Sequence, residues 1–283
     1  MASLKAIRKR IVSVRNTQQI TKAMKMVSAA KLRRAQEAVV QSRAYAEKLG
    51  EVVAGLASQP SLQEHPLVRG RSPEARVMLL VLTSDRGLCG GFNTNLIRLA
   101  EKFLNTPERT SVLSTIGRKG YDFYKRRSVE IIEHVTATTT APIELAREIV
   151  ARAVARFLND EVDAIYLLFS RFRSAISQVP TVERLLPIEA PTAGEDPREY
   201  LFEPDRDAVI ESLLPRYVEV KVFQAVLESI ASEHGARMTA MESASKNASD
   251  MIERLTLEMN RARQATITKE LMEIVGGAEA LKG

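Results

Sequence analysis

The chain has little of what stabilises small extracellular domains or spans a bilayer. It has one cysteine, so no disulfide can form within it, which is typical of a reducing compartment. Its longest uninterrupted apolar runs, residues 77–82 and 164–169, are far shorter than the roughly 20 residues that a membrane-spanning helix needs. The basic N-terminus is too interrupted by charge for a secretory signal, although mitochondrial presequences share its Arg-rich, amphipathic character.

Aromatic residues are also scarce, and positive charge is unevenly distributed. Aromatics make up 5% of the 283 residues and tryptophan is absent, which favours long helices packed through aliphatic side chains. Residues 1–58 hold twelve Lys and Arg against three Glu, a net of +9, which leaves −3 for the rest of a chain whose formal net charge is +6. One end is therefore a basic segment, and we expect its partner to be acidic, whether protein, nucleic acid or membrane surface.

The first 58 residues contain no proline and have the periodicity of a coiled coil. A walk from Leu4 in alternating steps of three and four meets an apolar seam at both ends of the segment. In the middle the apolar residues shift phase, to Ile20, Met24 and Val27. Heptads interrupted in this way predict a long helix whose coiled-coil seam contains a stutter.

The C-terminal part repeats this pattern. The same walk from Ile210 to Thr266 runs for eight heptads without a slip, with Pro215 marking the first turn or a kink and residues 276–277 ending the helix. Two helices that leave and enter one central domain can pair only antiparallel. The second helix is longer by roughly ten residues, so about 15 Å of it is expected to project beyond its partner, giving a rod on a globular foot.

Between the helices, strands alternate with helices, which predicts an α/β fold with a mostly parallel, Rossmann-like sheet. The predicted domains are 1–58 (N-terminal coiled-coil helix), 76–190 (α/β foot) and 207–283 (C-terminal coiled-coil helix), with linkers at 58–75 and 190–205. Strands are predicted at Val77–Thr83, Ser111–Ile116, Val129–His134, Asp163–Ser170 and Val179–Ile188, and helices at Thr94–Leu104, Lys119–Arg126 and Pro142–Asn159.

The stretch TSDRGLCGGFN, residues 83–93, follows the first predicted strand and resembles the start of a nucleotide site. It has neither the G-x-G-x-x-G nor the GxxxxGK[ST] spacing, and no lysine follows to meet a phosphate. We therefore favour a structural strand-to-helix corner, in which Asn93 or Thr94 caps the helix. Cys89 could be a low-pKa thiol at the helix N-terminus, but a packed small residue is favoured.

No other catalytic set is apparent in the sequence. His65, His134 and His234 lack metal-ligand spacing, and His234 falls on the seam as a packed histidine. Two alternatives stay open from the residues alone. One is an α/β protein that binds a small ligand at its strand ends, and the other is a basic coiled-coil scaffold or nucleic-acid binder, which lacks the expected interleaved aromatics.

Three separated motifs resemble one family. The run Ile20–Val27, the corner SDRGLCGGFN and residues 267–280, ITKELMEIVGGAEA, are similar to the gamma subunit of F-type ATP synthases, in the right order and over essentially the whole chain. The C-terminal pattern I-T-x-E-x-x-[DE]-x-x-x-G-A is matched through Ile267, Thr268, Glu270, Glu273, Gly277 and Ala278.

This resemblance implies a central-stalk rotor that transmits torque and has no catalytic site, cofactor or metal of its own. Its partners would be the alpha and beta subunits, with catalysis in beta, the epsilon subunit and the c-ring, through which proton flow drives ATP synthesis. The chain lacks the inserted segment with a cysteine pair that plastid members carry, and no presequence precedes its first motif. Both features favour a bacterial enzyme, peripheral to the inner membrane on its cytoplasmic side.

The resemblance also implies contact residues. The beta-subunit catch loops would meet the face around Lys22, Met24 and Lys25, with Arg263, Gln264, Thr268 and Glu270 opposite. A sleeve formed by the surrounding subunits would enclose an apolar bearing tip. That tip comprises Leu271, Met272, Ile274 and Val275.

Overall fold

A computed structural model describes residues 4–56, 60–71, 73–107, 109–136, 141–189, 203 and 205–280. The chain divides into two compact units, residues 1–27 with 238–283, and residues 28–237. Within the described ranges the elements are α1 (Leu4–Gly55), α2 (Pro60–Glu64), β1 (Arg76–Leu82), α3 (Phe92–Leu104), β2 (Thr110–Ile116), α4 (Arg118–Tyr124), β3 (Ile131–Val135), α5 (Pro142–Leu158), β4 (Ala164–Ser174), β5 (Ser177–Leu186) and α6 (Arg206–Ala280).

The larger unit is built on a five-stranded sheet of order β3-β2-β1-β4-β5. β1, β2, β3 and β4 pair in parallel, which confirms the predicted mostly parallel sheet, and β5 pairs antiparallel with β4. β1 is buried at six of its seven positions, as an apolar run in the middle of a covered sheet should be. One apolar cluster joins the sheet to α5 and α6, and the other joins it to α3 and α4.

In the smaller unit, α1 and α6 form an antiparallel pair. Ile7 and Ile11 pack with Leu255. Farther along, the Gln18 amide donates to Ser249 Oγ at 2.5 Å, and Lys25 Nζ lies 2.6 Å from a Glu242 carboxylate oxygen. Residue numbers rise along α1 as they fall along α6, which is the predicted antiparallel arrangement.

The predicted stutter in α1 is wrong. Thr21 and Ser28 are buried in the seam, whereas Ile20 and Val27 are 60% and 57% exposed. The hydroxyl of Thr21 donates to the Gln18 carbonyl of its own helix at 3.0 Å, so a polar residue is accommodated there without an unsatisfied group. The heptad walk therefore continues in phase through the middle of α1. Of the three apolar residues that suggested a shift, Ile20 and Val27 face outward and Met24 is half-buried.

Two other local predictions are also corrected, and a third is narrowed. α6 continues through Gly276 and Gly277 to Ala280, since glycine lowers helix propensity by about 1 kcal/mol but stops a helix only when it adopts a cap conformation. Pro215 lies inside α6, which excludes the first turn, and the alternative of a kink at Pro215 stays a prediction. The predicted linker 58–75 contains α2 and buries Leu62 and Leu67, because these leucines complete the core beneath the sheet.

Candidate functional site

The glycine-containing corner between β1 and α3 is held by its own side chains. α3 begins at Phe92, so Asn93 lies within the first turn instead of preceding it. Its side-chain oxygen accepts the Ser84 backbone N–H at 3.0 Å, and its amide donates to Ser84 Oγ at 2.8 Å. The predicted cap by Asn93 or Thr94 is therefore wrong: Gly91 occupies the N-cap position without a side-chain hydrogen bond.

Cys89 is a packed residue of this corner. Its side chain is buried, and its Sγ lies 3.2 Å from the Asn93 amide nitrogen and 3.8 Å from Ser84 Oγ. Two residues of the corner adopt left-handed backbone conformations, Leu88 with φ 62° and Gly90 with φ 55°. The corner thus has the dense internal bonding of a structural turn.

The sheet reverses its winding between β1 and β4, the point at which doubly wound α/β proteins bind ligands. Here α6 supplies the groups that meet the corner. The Arg237 guanidinium donates to the carbonyls of Gly87 at 3.3 Å and Arg86 at 3.5 Å, and pairs with Glu233 at 2.7 Å. A protein side chain therefore satisfies loop carbonyls at the strand end.

Two titratable groups beside Arg237 have shifted pKa values. Burial raises the pKa of the Glu233 carboxyl, against the opposing charge of Arg237. Burial, together with the charges of Arg237 and Lys31, lowers the pKa of His234 to about 4, and its Nδ1 is buried without a hydrogen-bond partner in the described part of the chain. His234 is therefore packed as a neutral imidazole, in line with its predicted position on the seam.

The lowered pKa of His234 predicts a pH-dependent stability. Because its folded-state pKa lies below the unfolded value of 6.5, the unfolded chain binds the proton more readily, and stability should fall as pH drops from 6.5 towards 4. Between pH 6.5 and 4, the free energy of unfolding of His234→Gln is expected to fall by up to about 3 kcal/mol less than that of wild type. Urea unfolding at several pH values in this range is the measurement.

The raised pKa of Glu233 acts in the opposite direction, since the folded state favours its protonated form. The informative quantity is therefore the difference between wild type and His234→Gln at each pH. Parallel pH profiles for the two proteins would contradict the assignment to His234.

The predicted contact residues form two groups on the helix pair of the smaller unit. Lys22 is exposed, whereas Met24 and Lys25 are half-buried, and Lys25 is paired with Glu242. In the second group all four side chains are exposed, and the Thr268 hydroxyl donates to its own helix at the Gln264 carbonyl, 3.0 Å away. That group comprises Arg263, Gln264, Thr268 and Glu270.

The structure does not bring these two groups together. Lys25 lies level with Glu242, and Arg263 follows 21 residues later on the same continuous helix. At 1.5 Å per residue the two levels are about 30 Å apart. The groups predicted to face one another therefore lie at different heights along the helix pair.

The end of α6 is apolar and exposed. Every residue from 263 to 277 is exposed, and Ala262 is the last α6 residue that packs against the Ile7–Ile11 cluster of α1. The four predicted tip residues are between 50% and 72% exposed. These are Leu271, Met272, Ile274 and Val275.

Sequence reasoning missed two features of this molecule. The exposed residues Ile20 and Val27 were assigned to the seam, although their spacing of seven also describes an apolar surface beside it. The pairing of Glu228 with Arg43 was missed too, and its signal was a carboxylate within the apolar stretch of α6 that begins at Val226.

Neither a metal centre nor a membrane span is found in the part of the chain that is described. Its His, Cys, Asp and Glu residues form no group of three or more able to hold a metal ion. None of its helices combines the length and apolarity needed to cross a bilayer.

Comparison with known proteins identifies the family. A protein-family model described as ATP synthase matches residues 3–281. The chain is 53% identical over 291 residues to the ATP synthase gamma chain of Geobacter sp. (strain M21), and 50% identical over 283 residues to that of Moorella thermoacetica (strain ATCC 39073 / JCM 9320). Both alignments cover the full length of both chains.

Solved structures show the same fold at lower identity. A chain of the Euglena gracilis mitochondrial ATP synthase (OSCP/F1/c-ring, rotational state 3) matches with a TM-score of 0.70 and 20% identity, covering 98% of this chain and 94% of that one. A chain of the Tetrahymena thermophila mitochondrial ATP synthase central stalk and c-ring matches with a TM-score of 0.61 and 24% identity, covering 80% and 99%. The family model and the full-length relatives show that the chain belongs to the ATP synthase gamma chain family.

Proposed function

We propose that this chain is the central-stalk rotor subunit of an F-type ATP synthase, transmitting torque between a proton-driven c-ring and a hexamer of alpha and beta subunits. The observation that carries the proposal is full-length identity of 50–53% to gamma chains. In this proposal the chain is non-catalytic, and ATP is made or hydrolysed in the beta subunits. The chain is held, with the epsilon subunit, at the cytoplasmic side of the inner membrane through the complex.

The basic face of α1 suits a shaft that turns against acidic neighbours. Its exposed cations lie on the part of the helix that pairs with α6 in the smaller unit. Exposed ion pairs contribute only about 0–1 kcal/mol each, so contacts with acidic beta-subunit loops would be made and broken easily as the shaft turns. Arg8, Arg15 and Lys22, seven residues apart, lie on this face, and Lys9 and Arg10 are exposed elsewhere around the helix.

The two groups of contact residues are proposed to meet the beta subunits at two levels. In the first group Lys22 is the cation proposed to contact the beta subunit. Its side chain is exposed, whereas Lys25 is half-buried and paired with Glu242. The second group, with Arg263 and Gln264, presents a charged and an amide side chain on an exposed helix face. Separation by about 30 Å along the helix supports two distinct contacts instead of one.

The apolar tip is proposed to turn inside a sleeve of the surrounding subunits. Leu271, Met272, Ile274 and Val275 together present more apolar surface than the free end of a helix in water should. Large aliphatic side chains without directional hydrogen bonds suit a surface that rotates against its neighbour, because no rotational position is strongly preferred.

Alanine at both Arg263 and Gln264 tests the second contact level. We expect the double variant to assemble normally but to turn with lower torque and slower ATP hydrolysis, because a charge and an amide are lost from an exposed face whose packing is unchanged. Torque in single-molecule rotation and turnover of the complex are the measurements. Lys246→Ala, at another exposed position of α6, is the control; torque and turnover equal to wild type in the double variant would refute this contact.

Co-assembly tests the function as a whole. The chain is mixed with alpha and beta subunits from the same source, separated by size, and each fraction is assayed for ATP hydrolysis. We expect a complex with one copy of this chain and hydrolysis above that of alpha and beta alone. Absence of a complex in Mg-ATP, together with nucleotide binding by the isolated chain, would favour the alternative of a ligand-binding α/β protein.

A further inference from the structure

β4 extends beyond the strand that it pairs with on one side. Its parallel pairing with β1 ends at Leu168, whereas β4 continues to Ser174. On the other side, Ser170 lies opposite Pro180 of β5, which has no N–H to offer. Ser170 and, by the two-residue alternation of a strand, Phe172 therefore direct their backbone N–H and C=O groups away from β5. These groups need partners that none of the described strands supplies.

Helix side chains satisfy this exposed stretch of backbone. The Ser232 hydroxyl of α6 donates to the Ser170 carbonyl at 2.9 Å, and the Ser170 N–H points to Ser229 Oγ at 3.5 Å. Two residues farther on, the Phe172 N–H donates to a Glu228 carboxylate oxygen at 3.2 Å. The end of β4 is thus bonded to one face of α6, where a neighbouring strand would otherwise lie.

The Glu228 carboxylate also binds a side chain of α1. Its side chain is 2% exposed, and its other oxygen accepts the Arg43 guanidinium at 3.0 Å and the Gln224 amide at 3.4 Å. Arg43 in turn donates to the Phe172 carbonyl at 2.8 Å, so α1, α6 and β4 form a closed ring of hydrogen bonds. A buried carboxylate is tolerated only when it is paired and bonded in this way.

We propose that Glu228 and Arg43 are positioning residues that fasten both long helices to the sheet, so that torque applied to the sheet unit is passed to the helices without slip. This inference rests on the proposed rotor function. Hydrophobic packing between the sheet and α6 is non-directional, whereas the ring of charge-assisted bonds, together with the neutral Ser232–Ser170 bond, favours a single register. Loss of the ring should therefore reduce coupling more than it reduces assembly.

The test is made in the complete enzyme in membrane vesicles, carrying Glu228→Ala in this chain. ATP hydrolysis and ATP-driven proton uptake are measured together, at temperatures where the complex stays intact. We expect fewer protons moved per ATP hydrolysed, and lower stall torque in single-molecule rotation. Glu228→Gln, which keeps an oxygen acceptor, should recover part of the loss and covers the case in which the alanine variant does not fold.

The control is Glu37→Gln, which removes the exposed ion pair with Arg33 on the outer face of α1 and should leave coupling unchanged. If Glu228 only stabilises the fold, Glu228→Ala would lower the unfolding temperature of the complex but leave the number of protons moved per ATP at the wild-type value. That result would overturn the proposal. Wild-type vesicles that hydrolyse ATP without proton uptake would instead refute the rotor function itself.

Discussion

Replacement of Gly117 by alanine is expected to lower the free energy of unfolding of the chain by about 3–5 kcal/mol, from the sum of backbone strain and overpacking. Gly117 follows β2 with φ +93°, a conformation that residues with a side chain rarely adopt. A Cβ atom there would lie 2.1 Å from the Thr83 carbonyl oxygen and 2.7 Å from the Thr83 carbonyl carbon.

The neighbouring backbone has no room to move away. The Gly117 N–H donates to the Val135 carbonyl at 2.8 Å, and the Thr83 N–H donates to the Ile116 carbonyl at 2.7 Å. Relief of the clash would therefore separate β1 from β2 or β2 from β3 at their carboxyl ends. Since native domains are stable by about 5–15 kcal/mol, the variant should show a large shift of its urea unfolding midpoint.

Gly50→Ala is the matched control for this change. Gly50 lies inside α1, and apart from its chain neighbours and the backbone of its own helix no atom of the described residues lies within 4 Å of the Cβ that alanine would add. Alanine is favoured over glycine in a helix interior by about 0.5–1 kcal/mol, so this variant should be slightly more stable than wild type. Equal stability of Gly117→Ala and Gly50→Ala would mean that the corner after β2 is not packed as described.

Phe157→Ala is expected to cost about 3–5 kcal/mol, as buried phenylalanine truncations do. The ring of Phe157, near the end of α5, has no exposed surface and belongs to the core cluster that joins the sheet to α5 and α6. The Arg71 guanidinium lies over it, 4.8 Å from the ring centroid, and donates to the Phe157 carbonyl at 2.9 Å. Alanine would leave a cavity and remove the surface on which Arg71 stacks.

The adjacent residue provides the control. Leu158 ends the same helix but is 47% exposed, so Leu158→Ala should change the free energy of unfolding by no more than about 0.5 kcal/mol. Urea unfolding of both variants, followed by helical circular dichroism, makes the comparison. Similar losses at the two positions would show that Phe157 is not part of a closely packed core.

The sequence predicted the elements whose local signal agrees with their surroundings. β1 is an apolar run in a covered strand, and α5 begins with the expected proline at its first turn. Prediction from the sequence failed where tertiary contacts determine whether a residue is buried or how far a strand extends. Thr21 is buried because the partner helix covers it, and β4 passes the predicted end at Ser170 because β5 returns alongside it.

Long-range contacts of polar residues could not be predicted from one sequence. Arg43 and Glu228 are separated by 185 positions, and nothing in their local patterns relates them. The contact residues of α6 came from the family resemblance, since an exposed face with Arg263 and Glu270 looks like any solvated helix face. The resemblance is carried by short motifs of contiguous residues, which can be recognised without any long-range contact.

The antiparallel pairing of α1 and α6 sets the order in which the protein can be completed on the ribosome. Gln18 and its partner Ser249 are separated by 231 positions. At synthesis rates of about 5–20 residues per second, roughly 10–50 s pass between the synthesis of α1 and that of the α6 segment that covers its seam. During that interval the apolar side chains of a nascent α1 are open to other chains. Production of this subunit should therefore depend on chaperones that shield an N-terminal helix until the last segment emerges.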